Sequence, residues 1–362
     1  MHVSDFDFDL PTDLIAQRPA EPRDSARLLH VPAQGAFADR QITDLPSLLQ
    51  PGDLLVTNDT RVIPARLTGV RGDATHGGPP QGGARIEVTL HKPDSPAVWR
   101  AFARPAKKLK PRDLIVFAPG FSAVVDSKGE GGEVTLHFNL FGARLLDALH
   151  RHGVMPLPPY IKRDRAGDSA DETSYQTLFA ENDGAVAAPT ASLHYTPTLI
   201  DAIVARGVQI AKLTLHVGAG TFLPVRVDDT RHHVMHSEWG ELSPETAALI
   251  NRTKQNGGRI IASGTTVLRL LEAATQADGT VAAFRGETDI FITPGYAFRS
   301  ADLLLTNFHL PKSTLFMLVA AFSGLARMKD AYQHAMAQNY RFYSYGDATL
   351  LELAQNAPKE SP

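Results

Sequence analysis

At 362 residues, with 43% hydrophobic and 21% charged side chains, the chain is long enough for two ordinary cores and is composed like a folded protein. It contains no cysteine, which excludes disulfides, thiolate metal sites and cysteine nucleophiles. Its 36 basic and 39 acidic residues leave a net charge of −3, so a polyanionic partner must be met by a local patch rather than by bulk attraction.

In chain order, Met1 to Asp7 shows neither a basic start nor an apolar run, so no export signal is expected and a cytoplasmic location is. Asp53-Leu54-Leu55-Val56 reads as a strand without partners of its own. Six short alternating runs follow, Ala65–Val70, Ile86–Leu90, Val98–Ala103, Leu114–Phe117, Phe121–Val125 and Val134–Phe138. Punctuated by Gly, Pro and Asp, they predict a small sandwich or barrel, with the glycine-rich stretch Arg71–Gly83 as a hairpin loop.

After Phe141 helices alternate with strands. Thr196 and Pro197 open a helix with a stripe of Leu199, Ile200, Ile203 and Val204, stopped by Gly207. Val208–Val217 reads as a strand, Ser243-Pro244 opens a helix closed by Gly257, and Arg259–Ala262 is the next strand. Leu315–Leu325 is about half the ~20 residues a bilayer span needs, so it reads as a buried helix and no membrane association is expected. The order is that of an α/β fold. The partnerless strand near residue 55 is assigned to the later sheet, which makes the β module an insertion.

His216 to Phe222 runs from a strand into a glycine turn. The third glycine of a dinucleotide fingerprint would fall at Leu223, so that motif fails, but Gly218 and Gly220 still expose backbone where α/β sheets bind ligands. A tight structural turn is the competing reading. Gly264-Thr265-Thr266 leads into the helix Val267–Ala274, whose free amides can hold an anion with Arg269 assisting. Hydroxyl capping by either threonine is the plainer alternative.

His232, His233, His236 and Glu238 form the densest titratable cluster. His232 and His236 have metal-ligand spacing if helical, but no further ligands are patterned with them. No metal is expected, and His236 and Glu238 read better as proton-transfer or substrate-orienting groups. Glu287 and Asp289 share one face of a strand, either as a functional carboxylate pair or as a solvated edge. Asn307, His309 and Lys312 gather before an apolar helix capped by Ser313, a polar loop on a rigid element, with a structural role for His309 as the alternative. Arg100 to Arg112 carries Arg100, Arg104, Lys107, Lys108, Lys110 and Arg112 without one acid. It is either a track for a phosphate backbone or a solvated face.

Taken together, these segments resemble the S-adenosylmethionine:tRNA ribosyltransferase-isomerase family. The likeness runs from Phe6-Asp7-Phe8-Asp9-Leu10-Pro11 and Leu14-Ile15-Ala16-Gln17 through Asn58-Asp59-Thr60-Arg61-Val62 and Ala187-Ala188-Pro189-Thr190-Ala191. It continues through His216–Phe222, Met235-His236-Ser237-Glu238-Trp239 and Gly286–Phe291 to Thr306–Thr314 and Tyr340–Ala348. The chain departs from the family at Ser192, where Gly is usual, and at Val267, where Ser is usual.

The resemblance implies an α/β fold in which a discontinuous α/β domain, here 1–61 and 149–362, is interrupted by a small β-barrel domain, here 62–148. It implies transfer and isomerisation of the ribosyl moiety of S-adenosylmethionine onto 7-aminomethyl-7-deazaguanine in tRNA, giving epoxyqueuosine and releasing adenine and methionine. No metal and no cofactor beyond S-adenosylmethionine as co-substrate is implied. The partner is a tRNA carrying the 7-deazaguanine precursor, and a monomer is expected.

Such chemistry asks for a base to take the proton that the sulfonium acidifies, a neutral attacking amine and a donor to the departing adenine. His216, His236, Glu238, Glu287, Asp289 and His309 are the catalytic candidates. Trp239 or a carboxylate can face the sulfonium, and Arg61, Arg269 or the turn of Gly264, Thr265 and Thr266 can hold the methionine carboxylate. Gly218, Gly220, Asn307 and Lys312 complete the substrate-binding set, and Arg104, Lys107, Lys108, Lys110 and Arg112 are the expected tRNA contacts. Two rivals stand: a methyltransferase with an RNA-binding appendage, which would form S-adenosylhomocysteine instead of adenine, and a non-catalytic RNA-binding protein, which would not need the titratable cluster.

Overall fold

The computed structural model describes residues 1–72, 83–163, 168–218 and 225–354. Most of the glycine-rich loop (73–82) and Gly220 lie outside the described residues. The chain opens with β1 (Arg27–Val31), β2 (Ala38–Gln41), a single helical turn α1 (Leu45–Leu48), β3 (Leu54–Asn58) and β4 (Thr60–Val62). All five residues of β3 are buried, as expected of a strand covered on both faces.

Six strands follow: β5 (Arg66–Gly72), β6 (Arg85–Pro93), β7 (Val98–Arg104), β8 (Leu114–Ala118), β9 (Phe121–Lys128) and β10 (Glu133–Phe138). They close into an antiparallel barrel in the order β10-β7-β6-β5-β8-β9, so no edge is left to pair with another chain. Period-two alternation explains the core: Ile86, Val88 and Leu90 of β6 are buried together with Val134, Leu136 and Phe138 of β10. A β-carbon at Gly69 would stand 2.7 Å from the Ile115 side chain and 2.8 Å from the Val116 carbonyl, so only glycine fits there. Helix α2 (Ala143–His152) adds Leu145, Ala148 and Leu149 to the barrel core.

Beyond the barrel come α3 (Ala170–Ser174), β11 (Asn182–Ala185), α4 (Pro197–Ala205), β12 (Gln209–Leu215), β13 (Glu238–Leu242), α5 (Pro244–Gln255) and β14 (Ile260–Ser263). The chain finishes with α6 (Thr265–Ala274), β15 (Phe284–Thr288), β16 (Leu303–Asn307), α7 (Thr314–Ser323), α8 (Leu325–Ala337) and β17 (Ala348–Glu352). One nine-stranded sheet, in the order β15-β13-β12-β3-β14-β16-β17-β1-β2, collects strands from both sides of the barrel. Thus β3 finds its parallel partners in β12 and β14, about 150 and 200 residues onward at the ordinary strand spacing. The segments entering and leaving the barrel meet where Arg66 and Val154 exchange backbone hydrogen bonds of 3.2 and 2.9 Å.

The expected caps form. Thr196 accepts from the Leu199 amide at 3.2 Å, Ser243 from Thr246 at 3.1 Å and Ser313 from Phe316 at 3.1 Å. Some local expectations are corrected. Val204 is 53% exposed, because the buried face of α4 is only Leu199 and Ile203. The apolar run Leu315–Leu325 is two helices: Gly324, at φ 91°, turns the chain between α7 and α8. Residues 230–232 form one 3-10 turn and His233 is extended, so His232 and His236 never take the i, i+4 helical geometry. Among the described residues no helix is long and apolar enough to cross a membrane.

Candidate active site

Strands β12, β3, β14 and β16 run parallel, and their carboxyl ends carry polar residues: His216 just after β12, Asn58, Ser263-Gly264 and Asn307. A cleft opens at the ends of β14 and β16, the place where open α/β sheets bind ligands. Its floor is the turn Gly264-Thr265-Thr266, and Arg269, Asn307 and His309 line it. The opposite wall, Ala187 to Ala191, is tied to β12 by the Val217 carbonyl, which accepts from Val186 at 2.8 Å and from Ala187 at 3.2 Å. Tyr160, Tyr343 and Ser344 close a third side.

The amino end of α6 has no side-chain cap. Its N-cap is Gly264 at φ 105°, and neither threonine supplies the hydroxyl. The capping alternative therefore fails, and the helix presents free amides and its positive dipole end to the cleft. Four buried polar atoms on lining residues have no partner: the Tyr175 hydroxyl, Thr266 Oγ1, Arg269 Nη2 and Asn307 Oδ1. Buried polar groups are nearly always satisfied, so this concentration at one cleft marks a surface made for a polar ligand.

Arg269 is held from behind. Its Nη1 donates to Glu238 Oε2 at 2.5 Å, Nε donates to the Ile290 carbonyl at 3.3 Å, and both charged side chains are only 6% exposed. Glu238 Oε1 in turn accepts from the Gly218 amide at 3.1 Å. Glu238 and Gly218 therefore bear on the cleft through Arg269. His309 is buried and shares a 3.0 Å hydrogen bond between Nε2 and Thr306 Oγ1. Burial alone pushes its imidazole down to about 3, so it is neutral at pH 7.

Toward the barrel, His216 stacks on Trp239 with centroids 5.3 Å apart, and its Nδ1 lies 2.8 Å from Thr60 Oγ1. A β-carbon at Gly184 would come within 2.8 Å of the imidazole, so the ring sits between the indole and the Gly184 backbone. Burial lowers the His216 pKa below the ordinary imidazole value, against the opposing pull of Asp59 and Asp183.

Five expected site residues lie elsewhere. Glu287 is half-exposed and bonded to Lys92 of the barrel at 2.8 Å and to the Ser237 hydroxyl at 2.6 Å; both bonds hold its carboxyl below the usual range. Asp289 is exposed and lies past the end of β15, so the two carboxylates do not share a strand face. His236 is exposed at the barrel junction, close enough to His91 to add to the lowering that burial imposes on that imidazole. Arg61 donates to the Ala180 carbonyl at 2.9 Å, and Lys312 pairs with Asp7 at 2.6 Å. Neither contact faces the cleft. Among the described residues no group of three or more His, Asp or Glu is placed to hold a metal ion.

Several lining residues had no role assigned from the sequence. Tyr343 adopts φ 72°, a left-handed backbone that non-glycine residues rarely take and that clusters at functional sites. Tyr160 packs on it with ring centroids 4.7 Å apart and bonds Ser344 Oγ at 2.7 Å. His194, behind Asn307, is fully enclosed, and burial, reinforced by Arg341 and Arg23, lowers it to about 4. The only signal was the density of tyrosines and hydroxyls in Tyr340–Gly346.

A pH prediction follows from the two buried imidazoles. Their folded values, about 3 and about 4, lie below the ordinary 6.5, so between those limits the unfolded chain binds protons that the folded chain does not. Their contribution is fully present above pH ~6.5 and drains as the pH falls, on the order of several kcal/mol at ~1.4 kcal/mol per unit. Urea midpoints should drop steeply from pH 7 to pH 4.5, and less steeply in His309→Gln and His194→Gln. Parallel curves for all three proteins would refute the assignment.

The fold and the cleft define an enzyme: an α/β sheet whose parallel strands end at a preformed polar pocket, with a barrel set beside it. A family model described as queuosine biosynthesis protein matches residues 3–351. The chain belongs to that family. It is 60% identical over 360 residues to the S-adenosylmethionine:tRNA ribosyltransferase-isomerase of Methylocella silvestris, spanning 97% of this chain and 98% of that one. The enzyme of the same name from Parvibaculum lavamentivorans is 60% identical over 354 residues, with 97% and 99% coverage. The crystal structure of S-adenosylmethionine tRNA ribosyltransferase from Thermotoga maritima is 34% identical, with a TM-score of 0.54 over 96% of this chain and 99% of that chain.

Proposed function

We propose that the chain is an enzyme that transfers and isomerises the ribosyl moiety of S-adenosylmethionine onto 7-aminomethyl-7-deazaguanine in tRNA, giving epoxyqueuosine-tRNA with release of adenine and methionine. The observation that carries the reading is the set of unpartnered Thr266 Oγ1, Arg269 Nη2 and Asn307 Oδ1 around the free amino end of α6. A carboxylate suits the amides, the threonine hydroxyl and the guanidinium, and the methionine end of the co-substrate supplies one. Arg269 takes this role rather than Arg61, whose guanidinium is spent on Ala180. His309 is the proton-handling group nearest that end, and His216 with Trp239 forms the wall that meets the modified base. The test is to incubate the protein with S-adenosylmethionine and tRNA bearing the aminomethyl base and to assay free adenine. S-adenosylhomocysteine in its place would mean a methyltransferase.

In this reading residues 1–61 and 149–362 form the catalytic unit, 62–148 the inserted barrel, and the enzyme acts in the cytoplasm as a monomer without a resident metal or cofactor. The barrel carries the tRNA contacts. Arg104, the last residue of β7, and Lys107, Lys108, Lys110 and Arg112 of the turn between β7 and β8 are all exposed. Asp113, next in sequence, is already engaged by Arg71 at 2.8 Å and by the Lys110 amide at 2.7 Å. Neutralising Lys107, Lys108 and Lys110 should weaken tRNA binding and lower its log–log salt slope by ~0.7–0.9 per lost phosphate contact. Binding of S-adenosylmethionine should not change. An unaltered slope would move the tRNA to the second basic group, Arg151, Lys162, Arg163 and Arg165, the last of which lies outside the described residues.

A further inference from the structure

Asn307, the last residue of β16, has a side chain with no choice of orientation. Its Nδ2 donates to the Tyr343 carbonyl at 3.1 Å, and because a carbonyl only accepts, the NH2 half must face it. The same carbonyl takes the Gly346 amide at 2.9 Å, so the left-handed turn at Tyr343 is pinned from two sides. The second Nδ2 hydrogen is directed at Nε2 of His194, 3.4 Å away. That contact requires a lone pair on Nε2, hence a neutral ring with its proton on Nδ1, and the burial of His194 keeps it neutral at pH 7. Both amide hydrogens are then used. The remaining atom, Oδ1, is buried without a partner on a residue that lines the cleft. An asparagine kept only for the core would have its oxygen satisfied too.

We infer that His194 is a positioning residue: together with the Tyr343 carbonyl it occupies both amide hydrogens of Asn307 and so holds that side chain as a hydrogen-bond acceptor for the α-amino group of the bound sulfonium amino acid. The inference rests on the proposed S-adenosylmethionine site. The carboxylate of that ligand is assigned to the amino end of α6, which follows β14, and β16 is the neighbouring strand, ~4.8 Å away. The donor next to a carboxylate held there is the amine on the adjacent carbon. Oδ1 can only accept, and so it favours an ammonium over a hydrogen or a carbonyl at that carbon.

The test uses the full chain, S-adenosylhomocysteine and its analogue lacking the α-amino group, with binding measured by calorimetry. The wild type should prefer the amino compound by roughly tenfold or more, the scale of one hydrogen bond to a charged donor. His194→Met, similar in bulk but with only a weak thioether acceptor, should erase most of that preference. His194→Gln, whose side-chain carbonyl can take the Asn307 hydrogen, should restore it, and a packing role alone would not separate these two. Asn307→Ala must erase the same preference, which keeps the test decisive if His194→Met does not fold. Equal penalties for losing the amine in the wild type and the variants would overturn the inference. So would a His194 effect confined to an analogue lacking the purine amine, which would place Oδ1 against the base. Failure of the wild type to bind S-adenosylhomocysteine at all would instead remove the S-adenosylmethionine reading beneath it.

Discussion

A protein in which Glu238 and Arg269 are both replaced by methionine should be more stable than either single replacement and yet bind no S-adenosylmethionine. Desolvating two charges cancels most of what they gain from each other, so exchanging a buried pair for apolar residues of similar volume is often neutral or stabilising. Removing only one partner leaves an uncompensated buried charge and costs ~3–5 kcal/mol. At 6% exposure on each side this pair falls squarely in that regime. Stability therefore does not explain its presence, whereas the free Nη2 of Arg269 on the cleft does. Urea unfolding of the two single variants and the double variant gives the ordering, and titration with S-adenosylmethionine gives the binding. Retained binding in the double variant would remove Arg269 from the site, and a double variant as unstable as the singles would show that the pair is structural after all.

Replacing His309 with Ala should lower turnover by ~10²–10⁴, about 2.7–5.4 kcal/mol of barrier, while S-adenosylmethionine still binds. His309→Gln separates chemistry from packing, since it keeps a hydrogen-bonding group toward Thr306 and avoids the cavity that Ala leaves. Because burial holds the imidazole near 3, it stays neutral throughout pH 5–9, and the pH–rate profile should show no limb from it. A limb near 6.5 that vanishes in His309→Gln would mean that the ring titrates during turnover. Near-normal rates in both variants would leave His309 a structural residue.

The barrel was legible because its signals are local. Buried and less buried positions alternate along β6, β7, β9 and β10, and each of the six runs is followed within four residues by a Gly, Pro or Asp. The caps at Thr196, Ser243 and Ser313 are equally local. The cleft-lining residues Gly264, Thr265, Thr266, Arg269, Asn307 and His309 stand out in the chain because they end or follow strands β14 and β16, and strand ends are recognisable there. Long-range pairing is what the chain does not reveal. Nothing near Glu287 announces that Lys92, 195 positions earlier, will occupy it, and Lys312 offers no hint of Asp7. His194 escaped for a related reason, since an imidazole behind another side chain acquires its role only once Asn307 stands in front of it.

The barrel joins the sheet through two crossing segments bonded to each other at Arg66 and Val154, and Lys92 to Glu287 is a further contact across the junction. Mechanically this is a lever with a short fulcrum. Its seven-residue strand β7 reaches ~20 Å from the end near Glu287 to the basic turn at ~3.3 Å per residue. A tilt of ~10° at the fulcrum would carry the lysines ~3–4 Å, about the axial rise from one phosphate to the next along a duplex strand, while hardly shifting the pocket floor. If RNA grips the barrel as proposed, small adjustments in that grip would be taken up at the handle, and the geometry of the cleft would be spared.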